Sequence, residues 1–214
     1  MKKRVGEEWL LFVPIFGILL FSCLYIVASH YYPGGSTAHR AHEGFDWINN
    51  YWCDLIARYA KNGEPNTARN IALTAMIILF SSLALFWFYL PQFFHERRSI
   101  TLLIRYSGSI SMFILIFVFT GFHDSVIGVG TAISAIPMAA TLSELYKNKF
   151  TKLYLLGWSC IGLILLNFVI YISEWWIIAL PFIQKITLLL FLIWILLTAL
   201  SCLKMIRGRN RGDS

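Results

Sequence analysis

Six segments of about 20 apolar residues limit what this chain can fold into more than any other feature. A helix needs about 20 such residues to cross the hydrocarbon core of a bilayer. Strands of a membrane β-barrel would alternate in hydrophobicity, whereas a run such as SMFILIFVF, at residues 111–119, is apolar at nearly every position. The six segments lie at residues 9–29, 71–90, 100–122, 125–146, 153–172 and 175–203.

The composition agrees with a membrane protein. Of the 214 residues, 58% are hydrophobic and only 14% are charged, whereas soluble domains are about 25% charged. These values exclude a soluble globular domain and a disordered chain. We therefore predict an all-α, polytopic membrane protein, with residues 1–214 forming one domain of six transmembrane helices.

The first and last segments each allow two interpretations. The first follows MKKR, as in a signal peptide, but it exceeds the usual apolar region of about 7–15 residues and lacks a small-residue cleavage site. We interpret it as a retained helix. The last is long and contains Pro181 and Lys185. Either it is a kinked, tilted helix, or residues 175–184 lie in the interface and the span begins near Ile186.

The distribution of basic residues predicts the orientation. Thirteen of the 18 Lys and Arg residues lie before the first span, around the connections that follow the second and fourth spans, and in the tail. By the positive-inside rule both termini are cytoplasmic, and we predict a bacterial inner membrane. The net charge of +7 then favours contact with anionic lipids of the inner leaflet. Nucleic acid is not a predicted partner.

The connection between the first two spans, from His30 to Asn70, is the longest one. It opens with the turn cluster YYPGGS at residues 31–36. Apolar residues then recur at helical intervals of three and four: Phe45, Ile48, Trp52, Leu55, Ile56 and Tyr59. We predict an amphipathic helix over residues 45–59, lying on the outer interface or capping the bundle. Asp54 and Arg58 are expected to pair along it, and residues 30–70 are the predicted surface for a protein partner.

This connection resembles part of a group of six-helix membrane proteins that includes the DRAM and Sfk proteins and bacterial relatives of unknown function. The resemblance lies in the runs YPGGS, FDWINNYWCDL and NGEPNTARNIAL. Members tend to carry a Ser/Cys-Asp motif after the first helix and a proline before the second, and Cys53, Asp54 and Pro65 match. Cys53 stands where serine is usual, and the glycine that often follows the motif is absent. The resemblance implies a six-helix bundle with cytoplasmic termini and no settled activity.

Polar residues near the outer ends of the spans form the candidate binding site, because ionisable residues at membrane depth are costly and often functional. These residues are Asp54, Arg58, His123, Asp124, Asn167, Glu174 and Lys185. We expect Asp54, Arg58, His123 and Asp124 to approach one another. The alternative is local: Asp124 or Ser125 caps the fourth helix, and Glu174 complements the dipole of the sixth.

Two further patterns concern metal binding and helix packing. His39, His42 and Asp46 would share one face if residues 39–46 were helical, as zinc ligands do; a solvated loop is the alternative. We predict no cofactor. The fourth span carries small residues at near-four spacing, which suits close helix packing: Gly128, Ala132, Ala135 and Ala139.

Two function classes remain. There is no P-loop and no GxSxG motif, and no histidine follows His123, so the late zinc ligands of alkaline-ceramidase-type hydrolases are missing. The first class is a non-enzymatic membrane protein whose outward-facing polar pocket binds a lipid, an apolar ligand or a partner protein. The alternative is a membrane enzyme, such as a metal-dependent lipid hydrolase, or a small transporter, using His123, Asp124 and Asp54.

Overall fold

The computed structural model describes residues 8–94 and 98–212, and this part of the chain is mainly helical. The long helices are α1 (Phe12–His30), α2 (Arg69–Tyr89), α3 (Arg98–Leu115), α4 (His123–Lys147), α5 (Thr151–Ser173) and α6 (Leu180–Gly212). Single turns of 3-10 helix are found at Glu8–Leu11, Trp52–Ile56, Leu90–Phe93, Ile116–Phe119 and Ile177–Ala179. The prediction of an all-α protein with six spanning helices is confirmed.

All six helices are long and apolar enough to cross a membrane. In each spanning stretch only 17% to 44% of the residues are buried inside the protein. Large apolar side chains therefore face outward, as at Phe16, Phe168 and Leu189. Because this apolar surface requires a hydrocarbon environment, the protein is a multi-pass integral membrane protein.

The helix boundaries agree with the predicted segments to within three residues except at the end of α3 and at both ends of α6, which continues to Gly212 rather than ending at 203. The helical path of α3 tightens to 3-10 geometry after Leu115, where α-helix was predicted up to residue 122. The helix α6 begins at Leu180, so the Trp175–Trp176 pair belongs to the preceding turn. Pro181 is the second residue of α6, and proline is tolerated in a first turn because the missing N–H has no helical acceptor there.

The described residues divide into two compact units. The first unit contains residues from Met1–Leu19, Ile77–Gly157 and Ile193–Ser214. In its core the Trp87 and Trp194 rings lie with centroids 6.3 Å apart, and the Trp194 indole donates a hydrogen bond to the Leu153 carbonyl at 2.9 Å. A Cβ at Gly157 would lie 2.4 Å from the Leu142 side chain, so glycine at this position allows α5 to approach Leu142 of α4 closely.

The small residues of α4 that were predicted to pack closely against a neighbouring helix do not do so in the described structure. Nothing lies within 4 Å of a Cβ placed at Gly128, whereas a Cβ at Gly130 would lie 2.7 Å from Leu115. Ala135 and Ala139 are exposed, and the buried face includes Met138 instead. The predicted face was wrong because the larger side chains of α4, which gain more from burial, decide which face turns inward.

The second unit contains Leu20–Met76 and Trp158–Leu192, and so includes the whole α1–α2 loop (residues 31–68). The loop packs through aromatic rings: the centroids of Tyr25 and Trp52 lie 4.8 Å apart, and those of Tyr32 and Phe45 lie 5.6 Å apart. Leu55 is fully buried. The loop is therefore a folded part of this unit, with its own apolar core.

Candidate functional site

The α1–α2 loop begins with a tight reversal at the glycine pair predicted to form a turn. Gly35 donates to the His42 carbonyl at 2.7 Å, and its φ of +80° lies in the left-handed region. A Cβ at Gly35 would also lie 2.4 Å from the backbone nitrogen of Asn62. Glycine is therefore required here both for its φ and for the close approach of two chain segments.

An Asx-type turn replaces the amphipathic helix predicted over residues 45–59. The Asp46 carboxylate accepts hydrogen bonds from the backbone N–H groups of Ile48 and Asn49 at 2.9 and 3.1 Å, and from the Asn49 side chain at 2.7 Å. Asn50 Oδ1 accepts the backbone N–H of Asp46 at 2.8 Å. Only Trp52–Ile56 forms a helical turn, of 3-10 type. The prediction was wrong because these side chains bind backbone groups that a helix would need.

The predicted two-sided pattern of this segment also differs from the structure. Ile48 and Tyr59, two of the apolar positions of the predicted helix, are 61% and 55% exposed, whereas the polar Asn50 is fully buried. Asn50 Nδ2 donates to the Gly35 carbonyl and to Asp54 Oδ2, both at 2.8 Å. A buried amide with these partners ties the turn to the start of the loop.

Asp54 is buried, and its carboxylate is fully engaged inside the loop. Oδ2 accepts the Tyr51 backbone N–H at 2.9 Å besides the Asn50 amide, and Oδ1 lies 3.4 Å from Lys61 Nζ. In the described ranges Asp54 pairs with Lys61 rather than with Arg58, whose guanidinium lies 5.8 Å from the centroid of the Tyr59 ring. The Asp54–Arg58 pairing was wrong because the chain is extended at Ala57, so the four-residue helical spacing does not apply.

Lys185 of α6 connects that helix to the loop. Its ammonium group donates to the Asn50 carbonyl and to the Pro181 carbonyl at 3.1 Å, and it lies 5.7 Å from the centroid of the Phe45 ring. The side chain is buried, with Asp54 and Asp46 as the nearby carboxylates. Asp54 and Lys185, two of the predicted site residues, therefore belong to one network through Asn50.

Asn66 is a central residue that the sequence did not single out. Its Nδ2 donates to the carbonyls of Asp54, Leu55 and Ala57 at 3.0 to 3.1 Å. Its Oδ1 accepts the N–H of Ala68 at 3.1 Å. Asn66 thus adds a side-chain donor to carbonyls at the end of the 3-10 turn, of which that of Asp54 also accepts the Ala57 N–H at 3.4 Å. The available signal was an asparagine three residues before α2, a position typical of helix caps.

The loop environment shifts three pKa values. Burial raises the pKa of Tyr32 to about 12, and the Asp54 carboxylate adds to the rise, against a hydrogen bond from the Lys61 backbone. Burial and Asp54 likewise raise the pKa of Tyr51. Burial alone would raise the pKa of Asp46, but its hydrogen bonds from Asn49 and Ile48 together outweigh burial and lower it.

The proposed zinc ligands do not form a metal site. In residues 8–94 and 98–212, no group of three His, Cys, Asp or Glu side chains is arranged to hold a metal ion. His39 and His42 lie in the exposed reversal, and Asp46 is occupied by its turn. Since residues 39–46 are not helical, the shared face on which the hypothesis depended is absent.

Asn167 on α5 faces α6 at membrane depth. Its Nδ2 donates to the Leu163 carbonyl at 2.8 Å and to Thr187 Oγ1 at 2.6 Å, while the Thr187 hydroxyl donates to the Ile183 carbonyl at 2.8 Å. These donations fix the orientation of the amide, because a carbonyl can only accept. Asn167 Oδ1 is buried and has no hydrogen-bond partner in the described structure.

Gln184 presents a second buried acceptor without a donor, its Oε1 atom. Gln184 precedes Thr187 by three residues on α6, so both side chains lie on one face of that helix. We call Asn167, Thr187, to which it donates, and Gln184, one turn before Thr187 on α6, the amide patch. The sequence predicted Asn167 as a site residue, but Gln184 and Thr187 were not recognised, because neither carries a charge.

Glu174 is the first residue after α5, and it does not belong to the amide patch. It is exposed with a φ of +57°, and Trp176 follows with a φ of +60°. Such left-handed residues are typical of the position just after a helix. Glu174 was expected at the start of the sixth helix, but α6 begins six residues later.

His123 and Asp124 lie in the first unit, at the start of α4. His123 Nδ1 is 3.0 Å from Asp124 Oδ1, and the Asp124 side chain is 78% exposed. The residue before the helix, Phe122, makes no side-chain cap, so neither Asp124 nor Ser125 acts as the N-cap. Asp124 still lies in the first turn, where a carboxylate favours the helix dipole. The expected approach of Asp54 to Asp124 stays a prediction.

The first unit also contains a cavity of about 380 Å³ between the start of α3 and the end of α4. Its walls are apolar except at Ser143 and Glu144. They are formed by Ile100, Leu103, Ile136, Ala139, Ala140, Ser143 and Glu144. The Glu144 carboxylate pairs with Lys147 at 2.6 Å. Ala139, one of the four small residues predicted to bring helices together, thus lines an open space at this end of α4.

No protein-family model matches the chain, and neither a curated protein nor a solved structure matches it. The resemblance to the DRAM and Sfk group stays a prediction.

Proposed function

We propose that this membrane protein binds, without catalysis, a lipid that carries a hydrogen-bond donor, and that the amide patch is the binding site. The observation that carries the proposal is the pair of buried amide oxygens, Asn167 Oδ1 and Gln184 Oε1, which lack donors. Leaving a buried acceptor unpaired costs about 1–3 kcal/mol. A lipid hydroxyl or amide N–H at this depth would remove that cost for each oxygen it reaches.

The surroundings of the patch favour an apolar molecule with a small polar group. Both α5 and α6 present large apolar side chains to their surroundings, including Leu166, Val169 and Ile186. The side chains of Asn167 and Gln184 are partly exposed. Since the terminal torsion of an amide is soft, a small rotation of Gln184 turns its oxygen toward a donor arriving from the bilayer.

The enzyme alternative has less support from the geometry. Asp54 and Lys185 are the buried ionisable groups among the predicted site residues, and both are held by backbone groups and neighbouring side chains. These contacts stabilise the loop against α6 and occupy the Asp54 carboxylate. The other two residues of that alternative, His123 and Asp124, pair with each other at 3.0 Å at the start of α4.

Photo-crosslinking with two matched probes tests the proposal. A diacylglycerol carries a free hydroxyl, whereas a phosphatidylcholine with the same diazirine-labelled acyl chains has no donor. We expect the diacylglycerol to label peptides of α5 and α6 several-fold more strongly in the reconstituted protein. Because one hydroxyl donates one hydrogen bond, worth about 0.5–1.5 kcal/mol, replacing both acceptors should reduce this labelling several-fold.

The variant for that comparison is Asn167→Leu combined with Gln184→Leu. The matched control is Asn70→Leu, at an exposed position near the start of α2, which should label like the wild type. Equal labelling by the two lipids, or a double variant that labels like the wild type, would contradict the proposal.

A further inference from the structure

The turn at residues 46–49 carries two apolar side chains outward. Trp47 and Ile48 are 45% and 61% exposed, although Phe45 and Asn50 on either side of them are buried. An exposed Trp-Ile pair at the end of a turn is costly in water. Covering these two side chains with an apolar surface would therefore be favourable.

The turn holds this pair in one geometry. The Asp46 carboxylate binds the N–H groups of Ile48 and Asn49, and Asn50 closes the turn through both its backbone N–H and its side-chain oxygen. The Trp47 ring also packs edge-on against Phe45 and Trp52, with centroids 5.3 and 5.9 Å away. The exposed surface of Trp47 and Ile48 therefore has a fixed geometry without a bound partner.

Lys185 sets the depth of the turn. It contacts the loop on both sides of Trp47 and Ile48, through the Phe45 ring and the Asn50 carbonyl. The ammonium group of Lys185 also contacts the Pro181 carbonyl, four residues beyond Ile177, where the apolar stretch of the last span begins; this is about 6 Å along a helix axis at 1.5 Å per residue. The turn therefore lies beside the first turn of α6, at the loop-side end of the last span.

We propose that residues 46–49 are seated in the leaflet on the loop side of the membrane, and that Trp47 and Ile48 contact lipid. Tryptophan favours the headgroup boundary, and isoleucine favours the acyl region. The polar groups of the turn are compatible with this depth, because the Asp46 carboxylate is hydrogen-bonded and the Lys185 ammonium lies nearby. This inference does not depend on the amide patch.

Spin-label accessibility measures the depth directly. The label is placed at Ile48→Cys, in a background in which Cys23, Cys53, Cys160 and Cys202 are replaced by alanine, and the protein is reconstituted in phosphatidylcholine vesicles. Ala41→Cys in the exposed reversal serves as the aqueous control, and Leu165→Cys, exposed on α5, serves as the lipid control. Collision rates are measured with oxygen, which concentrates in the bilayer, and with a water-soluble nickel chelate.

The ratio of oxygen to nickel accessibility at Ile48→Cys should be several-fold higher than at Ala41→Cys and should approach that at Leu165→Cys. A label at residue 48 that meets nickel as often as one at residue 41 would place the turn in water, as for a protein-docking surface, and would overturn the inference.

A second measurement keeps all four cysteines. Brominated acyl chains quench nearby indoles, so Trp47→Phe should remove a component of the fluorescence that bromolipids quench. If the component lost in Trp47→Phe is insensitive to bromolipids, the inference fails as well.

Discussion

Asparagine and lysine side chains stabilise the α1–α2 loop by donating hydrogen bonds to backbone carbonyls. Asn66 binds three of them, Asn50 binds that of Gly35, and Lys185 binds those of Asn50 and Pro181. Buried backbone groups must be paired. These residues therefore account for a long loop that is ordered without a disulfide.

Replacing Asn66 should be among the most destabilising single changes in the loop. Asn66→Ala removes an amide whose two N–H donors serve three carbonyls and whose oxygen accepts the Ala68 N–H, and we expect a loss of about 2–4 kcal/mol in the free energy of unfolding. Asn66→Asp keeps the size but cannot donate, so it should cost at least as much. Unfolding in mixed micelles, followed by tryptophan fluorescence, measures both.

The control is Asn70→Ala, at an exposed site, which should change the free energy of unfolding by less than about 0.5 kcal/mol. Equal effects at residues 66 and 70 would refute the role of Asn66.

At the scale of elements, the spans were predictable and the loop was not. Hydrophobicity and length decide where a helix crosses a membrane, so the six predicted segments agree with α1–α6. In the loop, apolar spacing was a weaker guide than the side-chain chemistry of Asp46 and Asn50, which bind the backbone locally. The contact of Lys185 with Asn50 joins positions 135 residues apart, and no local pattern reveals such a pairing. The sequence therefore indicated Asp54, Asn167 and Lys185 as candidates without showing what each would contact.

The turn at residues 46–49 should loosen in acid. The pKa of Asp46 is lowered in the folded protein, below an unfolded value of about 3.9. Its contribution to stability is therefore present above the unfolded pKa and is lost as the pH falls through the folded pKa. The stability difference between the wild type and Asp46→Asn should be constant near neutral pH and should shrink below about pH 4. Glu43→Gln, at an exposed neighbouring position, is the control, and a difference for Asp46→Asn that does not change with pH would argue against this role.

At the scale of the whole molecule, the basic residues orient the protein. We propose that both termini are cytoplasmic and that the α1–α2 loop is outside, which is also what the resemblance to the DRAM and Sfk group implies. The 13-to-5 division of Lys and Arg supports this orientation. Contact of the basic side with anionic lipids, and docking of a protein partner on the loop, remain proposals that this orientation permits.

Labelling with an impermeant thiol reagent tests the orientation in intact cells. In a background without the native cysteines, Ala41→Cys should react from outside, and Ser214→Cys should react only after the membrane is permeabilised. Reaction of Ser214→Cys in intact cells would reverse the orientation without affecting the six-helix fold.

The central claim, that the amide patch binds a lipid through its unpaired oxygens, is tested most directly by a structure of the protein in lipid nanodiscs that contain diacylglycerol. We expect lipid density between α5 and α6, with a hydrogen-bond donor of the lipid within about 3.2 Å of Asn167 Oδ1 or Gln184 Oε1. The Asn167→Leu and Gln184→Leu double variant should lack this density. A patch whose amides pair only with protein groups, with no ordered lipid beside Asn167 and Gln184, would contradict the claim.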